Sequence, residues 1–410
     1  MPDTSPAAFS AASPVSRRFD AIVVGAGIVG LCAAALLGRH HKSVALVAPA
    51  LAAFKPSDAQ RFDPRVYAIS GKSQRFLADI KAWDALPVQR VTAVTGMDIW
   101  GDDTRNDALT LRARDSGMEA VTWIAEQQSL LDALEMVAKF TPGLIRVMDR
   151  VSKLECLSQD SAGSGRAWRL QTASGDVLEA PVVVAADGAN SAVRAAALLD
   201  FAVEDYNALG VVGTFRQELA HDGVARQWFL GSSVLALLPL PDQCVSMVWS
   251  MDAHQHAQWQ RDDAAAMARR VMQAADGRVA DVTGQLQPCG ELAAYPLRHG
   301  VAPLWFADGV VLLGDAAHLV HPLAGQGLNI GVEDVADFAA VIEAGFSDAA
   351  LRAWQRQRKA GAQPIHWLTH GLNGLFRVEL PGAQWLRNTG MQMVNQVPAL
   401  KRWLVGQAMR

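Results

Sequence analysis

Residues 19–47 read FDAIVVGAGIVGLCAAALLGRHHKSVALV, and this stretch decides the fold. An apolar strand over Ala21–Val24 leads into a glycine-rich turn and an alanine- and leucine-rich helix from about Ile28 to Arg39. A second apolar strand follows over Val44–Val47. Buried parallel strands are continuous apolar runs, and a strand–helix–strand order builds a parallel sheet. The stretch therefore predicts the first βαβ unit of an α/β domain.

The turn itself is a GxGxxG pattern between a strand and a helix, the context in which this fingerprint binds dinucleotides. Gly25 permits a tight turn, Gly27 lets the backbone approach a pyrophosphate, and Gly30 allows close helix–strand packing. The helix N-terminus offers N–H groups and a partial positive charge to the phosphates. A glycine turn without a ligand is the less favoured interpretation, because the strand and the helix are both present. The residues predicted to bind the dinucleotide here are Gly25, Gly27, Ile28, Val29 and Gly30.

One part of the fingerprint is missing. An acidic residue normally ends the second strand and binds the ribose hydroxyls, but Ala48 stands there and residues 21–57 contain no Asp or Glu. We therefore expect the dinucleotide to be held less tightly, or by another group. Arg39, His40 and Lys42 could indicate a phosphorylated ribose, but we interpret them as solvated charges at a helix end.

Two further motifs follow apolar strands later in the chain. ADGANSAVR at residues 186–194 follows a strand over Val182–Ala185 and is either a nucleotide-binding turn or a strand-to-helix cap. GDAAHLVHPLAGQGLN at residues 314–329 follows a strand over Val310–Leu313. Asp315 is placed to bind sugar or ribityl hydroxyls. The helix that begins near Gly327 can direct its dipole at a flat ring and stabilise negative charge on a reduced flavin.

The middle of the chain has a different residue pattern. Apolar runs joined by Gly, Pro and Asp turns predict a second, mostly antiparallel sheet inserted into the nucleotide domain, with a helix over Asp262–Ala275 beside it. The fold class is therefore α/β: a Rossmann-like domain with a parallel sheet, an inserted antiparallel sheet domain, and C-terminal helices. The predicted strands of the inserted sheet are Gly210–Phe215, Ala225–Leu230, Val234–Leu240 and Val245–Trp249.

Composition restricts the class of protein. Half of the 410 residues are hydrophobic, 19% are charged and the net charge is −4, which gives no reason to expect a nucleic-acid partner. The four cysteines are far apart and form no CxxC pair, so we expect neither a disulfide framework nor a metal site, and a reducing cytoplasm fits. Residues 1–18 resemble no signal peptide and are predicted to be a disordered tail. No uncharged apolar run is long enough to span a bilayer.

The chain resembles the class A flavoprotein monooxygenases, which share the p-hydroxybenzoate hydroxylase fold, and specifically the ubiquinone-biosynthesis hydroxylase family. The resemblance covers nearly the whole chain. Besides the three motifs, the strings that carry it are RVYAIS at 65–70 with Trp83 and Leu86, WIAEQ at 123–127, ALLPL at 236–240, VWS at 248–250, HPLAGQGLN at 321–329, LRNTG at 386–390 and PALKR at 398–402.

The resemblance implies bound FAD, NAD(P)H as a transient co-substrate, and hydroxylation of a polyprenylated phenol by O2 through a flavin C4a-hydroperoxide. It implies that Arg65 and Gln127 contact the FAD phosphate and ribityl region, and that Asp187 and Gly188 serve FAD and the nicotinamide. Asp315 should bind the ribityl chain, and residues 322–329 should border the isoalloxazine. The implied site beyond the first turn is Arg65, Gln127, Asp187, Gly188, Gly314, Asp315, Pro322, Gly325, Gln326, Gly327, Leu328 and Asn329.

No catalytic side chain is assigned, because the flavin carries the chemistry; His321 and Tyr295 are the candidates. The substrate ring is expected against an apolar face of the inserted sheet, although these side chains could equally be core. The side chains named for that face are Trp228, Phe229, Leu235, Leu237 and Trp249.

Several alternatives stay open at this point. The chain could be a flavin reductase on the same fold, or a non-catalytic subunit of a ubiquinone-synthesis assembly that has lost the cofactor, an interpretation that Ala48 encourages. The C-terminal segment mixes apolar and basic residues, which suits a membrane surface, a partner or a homo-oligomer contact. We expect a cytoplasmic protein, either free or peripheral to the inner membrane.

The resemblance also suggests domain boundaries. The FAD-binding domain is predicted from residues 19–90, 120–200 and 290–347, and the substrate domain from residues 91–119 and 201–289. A C-terminal helical region is predicted over residues 348–410.

Overall fold

The structure is a computed structural model that describes residues 16–50, 62–101, 108–158, 167–319 and 326–361. Its strands are β1 (Arg17–Arg18), β2 (Ala21–Val24), β3 (Val44–Val47), β4 (Val66–Ile69), β5 (Val91–Val94), β6 (Gly96–Trp100), β7 (Leu109–Arg112), β8 (Thr122–Glu126), β9 (Leu144–Val147), β10 (Val151–Leu157), β11 (Ala167–Thr172), β12 (Val177–Ala180), β13 (Val182–Ala185), β14 (Ala202–Gln217), β15 (Val224–Leu230), β16 (Ser233–Pro239), β17 (Cys244–Asp252), β18 (Leu286–Pro288), β19 (Ala293–Val301), β20 (Phe306–Ala307), β21 (Val310–Leu312) and β22 (His318–Leu319). Its helices are α1 (Ile28–Arg39), α2 (Gly71–Asp79), α3 (Gln127–Phe140), α4 (Ala192–Ala196), α5 (Ala253–Trp259), α6 (Ala264–Gln273), α7 (Arg278–Thr283) and α8 (Gln326–Glu343).

The parallel sheet has six strands in the order β20-β21-β13-β2-β3-β9, and only the β20–β21 pair is antiparallel. Every residue of β2, β3 and β13 is buried, which explains why these strands are continuous apolar runs. The βαβ unit predicted from the first motif is confirmed, with strand and helix bounds as predicted. A small antiparallel sheet, β4-β8-β5, and a four-stranded sheet, β1-β12-β11-β10, flank this unit.

Helix α1 has almost no solvent face. Ten of its twelve residues are buried, because the helix packs against the parallel sheet, α3 and α8. A helix enclosed in this way needs apolar residues around its whole circumference. This burial accounts for the run of alanine and leucine over residues 33–37.

The second sheet has nine strands in the order β22-β19-β14-β17-β16-β15-β6-β7, with β18 added beside β14. All pairs are antiparallel except β15–β6. The predicted mostly antiparallel sheet is therefore confirmed. One face of this sheet is covered by α6 and α7, whose Met267, Val271 and Val279 pack into its core.

This covered face changes one prediction. Trp228, Leu235, Leu237 and Trp249, expected beside the substrate ring, lie in the cluster with α6 and α7. They are core side chains, because alternate residues of a strand point to opposite faces and these four point to the helices. Phe229 lies on the other face and packs with Val234 and Ile99.

Parts of the predicted domain division fall outside the described residues. Arg17–Arg18, at the end of the predicted tail, pair with β12 as β1, and residues 348–361 are helical. Residues 1–15 and 362–410 lie outside the described part, so the domain boundaries stay a prediction. Within the described part, no helix is long and apolar enough to cross a bilayer.

Candidate active site

The three predicted motifs meet at one edge of the parallel sheet. They follow β2, β13 and β21, which are neighbours in that sheet. The backbone continues the pairing at this edge, since the Ala186 N–H donates to the Val24 carbonyl (2.8 Å) and the Leu313 N–H donates to the Ala185 carbonyl (2.9 Å). Ligands of open α/β sheets bind outside the carboxyl ends of their strands. The fold therefore assembles one binding edge from three distant segments.

The first motif combines a tightly packed turn at Gly25 and Gly30 with free space beside the backbone at Gly27. Gly25 has φ +106°, and a Cβ there would lie 2.2 Å from the Ala186 carbonyl oxygen. A Cβ at Gly30 would lie 1.9 Å from the Gly25 carbonyl oxygen, whereas at Gly27 it would meet nothing within 4 Å. In the described chain, no side chain caps the start of α1 at Ile28. The first turn of α1 can therefore receive an anion.

Asp187 organises the second motif and keeps one oxygen free. Its Oδ2 accepts hydrogen bonds from the N–H groups of Ala192 (2.8 Å) and Val193 (3.3 Å). Its Oδ1 is buried without a hydrogen-bond partner among the described residues. Gly188 beside it has φ +83° and open space on its Cβ side. A buried acceptor without a donor is costly, so this oxygen suits a ligand hydroxyl.

Arg194 joins the second motif to the third. Its Nη1 donates to the Ala316 carbonyl (2.8 Å) and its Nη2 donates to the Ala189 carbonyl (2.7 Å). The guanidinium also lies over the Phe201 ring, 3.9 Å from the centroid. Arg194 is part of the second motif in the sequence, but only the structure shows that its side chain links the second motif to the third.

The third motif packs against the first. Gly314 has φ +57°, and a Cβ there would lie 3.1 Å from a Val29 methyl group. Asp315 follows, with its side chain accessible at the binding edge while Ala316 and Ala317 are buried. The pKa of Asp315 is raised because surrounding protein removes much of its hydration, although nearby His318 and Arg65 act in the opposite direction.

Asn329 fixes the start of α8. Its Nδ2 donates to the Ala68 carbonyl (2.8 Å) and its Oδ1 accepts from the Ser70 N–H (2.9 Å). These bonds hold the first turn of α8, where Gln326, Gly327 and Leu328 lie, beside the end of β4. The remaining predicted residues of this loop, which are outside the described part, are His321, Pro322 and Gly325.

Arg65, Gln127 and Tyr295 lie close together in the structure. The Arg65 guanidinium carbon lies 5.7 Å from the Tyr67 ring centroid and 5.3 Å from that of Tyr295. Gln127 accepts a hydrogen bond from the Tyr67 hydroxyl (3.0 Å) and donates its N–H to the Arg65 carbonyl (3.0 Å). Burial raises the pKa of Tyr67 to about 12, so its hydroxyl stays neutral and donates.

A carboxylate that sequence reasoning missed holds this group in place. Asp63 accepts from the N–H groups of Arg65 (2.8 Å) and Gln128 (3.1 Å), and its own N–H donates to Glu126 (2.6 Å). Asp63 thus ties the start of β4 to the start of α3. Its place two residues before Arg65, next to Pro64, was the available signal.

Behind the third motif lies a buried charged network. Asp334 of α8 binds the His318 Nε2 through Oδ2, which also accepts from the Gly314 N–H (3.2 Å). Its Oδ1 accepts from the Arg358 Nε (2.8 Å). Burial alone would raise the pKa of Asp334, but His318 and Arg358 hold it below its usual range. His318 is fully buried in this network, so its ring joins the end of the third motif to α8.

The end of β3, where Ala48 stands in place of the expected acid, is contacted by a charged side chain of the neighbouring strand. Arg146 of β9 donates from Nη1 to the carbonyls of Ala48 (3.3 Å) and Leu46 (3.4 Å), and its Nη2 lies 3.5 Å from Glu135. The end of β3 therefore carries a guanidinium and a carboxylate supplied by neighbouring elements.

The nine-stranded sheet turns the face opposite α6 and α7 toward this edge, while the β4-β8-β5 sheet packs against the Cys244 end of that face. Tyr295, which lies against Arg65, is directly opposite Gly210, and residues opposite each other share a face. The same register continues across the sheet through the next strands. We call this surface the inner face; it comprises Gly210, Val212, Val234, Ala236, Val248 and Ser250.

These features fit FAD. The uncapped start of α1 suits the pyrophosphate, and the unpartnered Asp187 Oδ1 suits a hydroxyl donor. The glycine cradle at Gly25 and Gly27 leaves room for a dinucleotide to reach the backbone. The inner face places small and apolar side chains opposite the edge where the three motifs meet.

Gly27→Ala is expected to weaken FAD binding by about 10- to 100-fold, because its Cβ occupies the open approach and charge-assisted hydrogen bonds are worth roughly 1.5–3 kcal/mol. The stability of the protein without FAD should not change, since that Cβ meets nothing within 4 Å. Flavin fluorescence titration measures the Kd. Gly290→Ala, also open on its Cβ side, is the matched control; equal affinities in the two variants would contradict the phosphate approach at Gly27.

Known proteins resemble this chain over most of its length. Residues 18–366 match the family described as FAD binding domain. The chain is 30% identical over 442 residues to ubiquinone biosynthesis monooxygenase COQ6, mitochondrial, of Drosophila melanogaster, covering 98% of this chain and 91% of that protein. It is 29% identical over 393 residues to 3-demethoxyubiquinol 3-hydroxylase of Escherichia coli, covering 93% and 95%.

Solved structures share the fold. PqsL from Pseudomonas aeruginosa superimposes with a TM-score of 0.73 at 21% identity, covering 92% of this chain and 100% of that one. The p-nitrophenol 4-monooxygenase PnpA from Pseudomonas putida gives 0.74 at 19%, covering 96% and 99%. Family, relatives and fold agree with the resemblance read from the motifs. The chain belongs to the FAD binding domain family and, within it, to the ubiquinone-biosynthesis hydroxylases, which are class A flavoprotein monooxygenases.

Proposed function

We propose that this enzyme hydroxylates the aromatic ring of a polyprenylated phenol in ubiquinone synthesis, with NAD(P)H and O2 as co-substrates. The observation that carries the proposal is the inner face, which places small and apolar side chains opposite the edge where the three motifs meet. The two named relatives act in ubiquinone biosynthesis or on a ubiquinol by their names, which supports this substrate class.

FAD supplies the electron transfer and the oxygen chemistry when it is bound. The residues of this chain bind and orient it. We propose that the first turn of α1 binds the pyrophosphate, that Asp187 and Asp315 accept hydrogen bonds from hydroxyl groups, and that the start of α8 faces the ring. Because a helix N-terminus carries a partial positive charge, α8 then favours negative charge on the ring that it faces. Gly188, with Asp187, remains our proposal for contact with the nicotinamide.

The inner face performs the second task, which is to hold the phenol and exclude water. Val212, Val234 and Val248 offer apolar contact, while Gly210 and Ala236 leave space for a ring and the first prenyl unit. Excluding water from the site also limits side reactions in which the activated oxygen is lost to solvent. Tyr295 lies at the margin of this face against Arg65, so we propose that it orients Arg65.

The substrate class also suggests where the enzyme works. A long prenyl chain stays in a bilayer, so we propose that the protein is cytoplasmic and meets its substrate at the inner membrane as a peripheral protein, within a ubiquinone-synthesis assembly or as a homo-oligomer. The mixture of apolar and basic residues after residue 362 supports surface contact.

One assay separates the three functions that the sequence left open. Purified protein is loaded with FAD and given NADPH or NADH, ¹⁸O2 and a short-chain prenylphenol, and products are measured by mass spectrometry. A monooxygenase yields a product with one ¹⁸O per NAD(P)H consumed. A flavin reductase consumes NAD(P)H and releases hydrogen peroxide without hydroxylation, and a non-catalytic subunit retains no FAD. Either of the last two results would overturn the proposal.

Ala236→Trp tests the inner face directly. The indole would fill the space proposed for the ring, so we expect kcat/KM for hydroxylation to fall at least about 100-fold, a loss of roughly 2.7 kcal/mol in transition-state binding. FAD retention should be unchanged. Ala294→Trp, an exposed alanine of the same sheet next to Tyr295, is the control and should retain near-normal activity. Equal activities in the two variants would show that the phenol binds elsewhere.

A further inference from the structure

Two cysteines that are distant in the sequence lie side by side in the nine-stranded sheet. The Sγ atoms of Cys244 and Cys289 are 3.9 Å apart, and both are free thiols. Sequence spacing gave no sign of this pair, because α5, α6 and α7 lie between the two residues. The fold joins them because β17 and β18 pair with β14 on its opposite sides.

The surroundings make the two thiols unequal. Cys289 contacts Arg216, the residue of β14 that lies opposite Cys244. A hydrogen bond from the Cys244 thiol and the positive charge of Arg216 lower the pKa of Cys289. The same hydrogen bond and burial raise the pKa of Cys244. Because the thiolate is the nucleophile, these surroundings favour Cys289 as the reactive member of the pair.

Access also favours Cys289. Cys244 is fully buried, whereas Cys289 is partly exposed. Cys289 directly follows β18, and its N–H donates to the Thr214 carbonyl of β14 (2.9 Å), which holds its backbone beside the sheet. A disulfide bond needs a sulfur separation of about 2.05 Å. The Cys289 side chain would therefore have to move its sulfur about 2 Å closer to Cys244 to form the bond.

We propose that Cys244 and Cys289 form an oxidation site, at which hydrogen peroxide converts the two thiols into a disulfide bond. The Cys289 thiolate attacks the peroxide, the O–O bond breaks, and protonation of the leaving oxygen gives water and a Cys289 sulfenic acid. The Cys244 sulfur then attacks the Cys289 sulfur, and the hydroxyl leaves as a second water with the Cys244 proton. Two thiols lose two electrons and two protons, and one peroxide is reduced to two waters.

The bond would tether the link 289–292 to β17. That link leads directly into β19, the strand that carries Tyr295 to the Arg65 guanidinium. Oxidation at this site therefore acts on an element that borders the binding edge.

The test uses the full-length protein with FAD bound, freed of reductant and titrated with hydrogen peroxide. Peptides are analysed by mass spectrometry without reduction, and Cys156, an exposed thiol, is the internal reference. We expect a linked Cys244–Cys289 peptide at doses that leave most Cys156 unmodified, with titratable thiols falling from four to two and returning after dithiothreitol. Oxidation of Cys156 first, or of Cys289 without the linked peptide, would overturn the proposal.

Two variants identify the attacking thiol. With Cys244→Ala, the Cys289 sulfenic acid has no partner and should be trapped by dimedone. With Cys289→Ala, Cys244 should stay unmodified at the same peroxide dose. Dimedone labelling of Cys244 in the second variant, at the rate seen for Cys289 in the first, would contradict the assignment.

Discussion

Asp334→Ala lowers the free energy of unfolding by about 3–5 kcal/mol, the usual cost of removing one member of a buried ion pair. The side chains of Asp334 and His318 are fully buried, and that of Arg358 is 4% exposed. Removing the Asp334 carboxylate takes away the buried hydrogen-bond acceptor of the Arg358 guanidinium Nε and of the His318 imidazole. The Gly314 N–H loses its acceptor as well. The third motif should therefore loosen, and FAD should be lost during desalting.

Urea unfolding of the protein without FAD measures this effect separately from cofactor binding. Asp337→Ala is the matched control, because Asp337 also accepts from Arg358 (3.1 Å) but is 18% exposed and lies one turn further along α8. Its removal should cost about 1 kcal/mol or less, as for partly solvated pairs. Equal losses of unfolding free energy in the two variants would show that the buried Asp334 bonds stabilise the protein no more than the partly exposed Asp337 bond does.

Gly30→Ala is expected to abolish FAD retention and to destabilise the protein without FAD. Alanine is favoured over glycine in a helix by roughly 1 kcal/mol, so helix propensity alone predicts a gain. The added Cβ would lie 1.9 Å from the Gly25 carbonyl oxygen. Overpacking costs about 1–3 kcal/mol even where side chains can yield, and here the obstacle is the backbone of the binding turn.

The absorption spectrum after desalting reports retained flavin, and urea unfolding reports stability. Gly27→Ala provides the comparison, because it should weaken FAD binding alone, whereas Gly30→Ala should reduce both. A Gly30→Ala protein that unfolds at the urea concentration of the unaltered protein and keeps its flavin would refute the close contact of Gly30 with the turn.

The parallel sheet could be predicted because its information is local. β2, α1 and β3 are adjacent in sequence, and their burial on all sides makes the chain apolar without alternation. The glycines of the first motif are explained by contacts within the same unit and with Ala186. Continuous apolar strands and fixed glycine spacing can therefore be recognised directly in the sequence.

The inner face could not be chosen from sequence. Alternation shows that a strand has two faces, but Leu235 and Ala236 are both compatible with a substrate surface until α6 is seen to cover one side. The Asp334 network was equally hidden, because its members lie on three separate segments of the chain. The missing acid at Ala48 was visible in the sequence, but the contact of Arg146 with the Ala48 carbonyl depends on the pairing of β3 with β9.

The order in which the three motifs are translated has a consequence for folding in the cell. β2 leaves the ribosome early, but its neighbour β13 is made much later and β21 later still. The nascent chain therefore carries an incomplete dinucleotide cradle until Asn329 has been synthesised and α8 can dock. Domains that need late segments cannot fold as translation proceeds. We therefore expect flavin to be captured only after most of the polypeptide exists, and cells short of riboflavin to accumulate finished chains that are open to proteolysis.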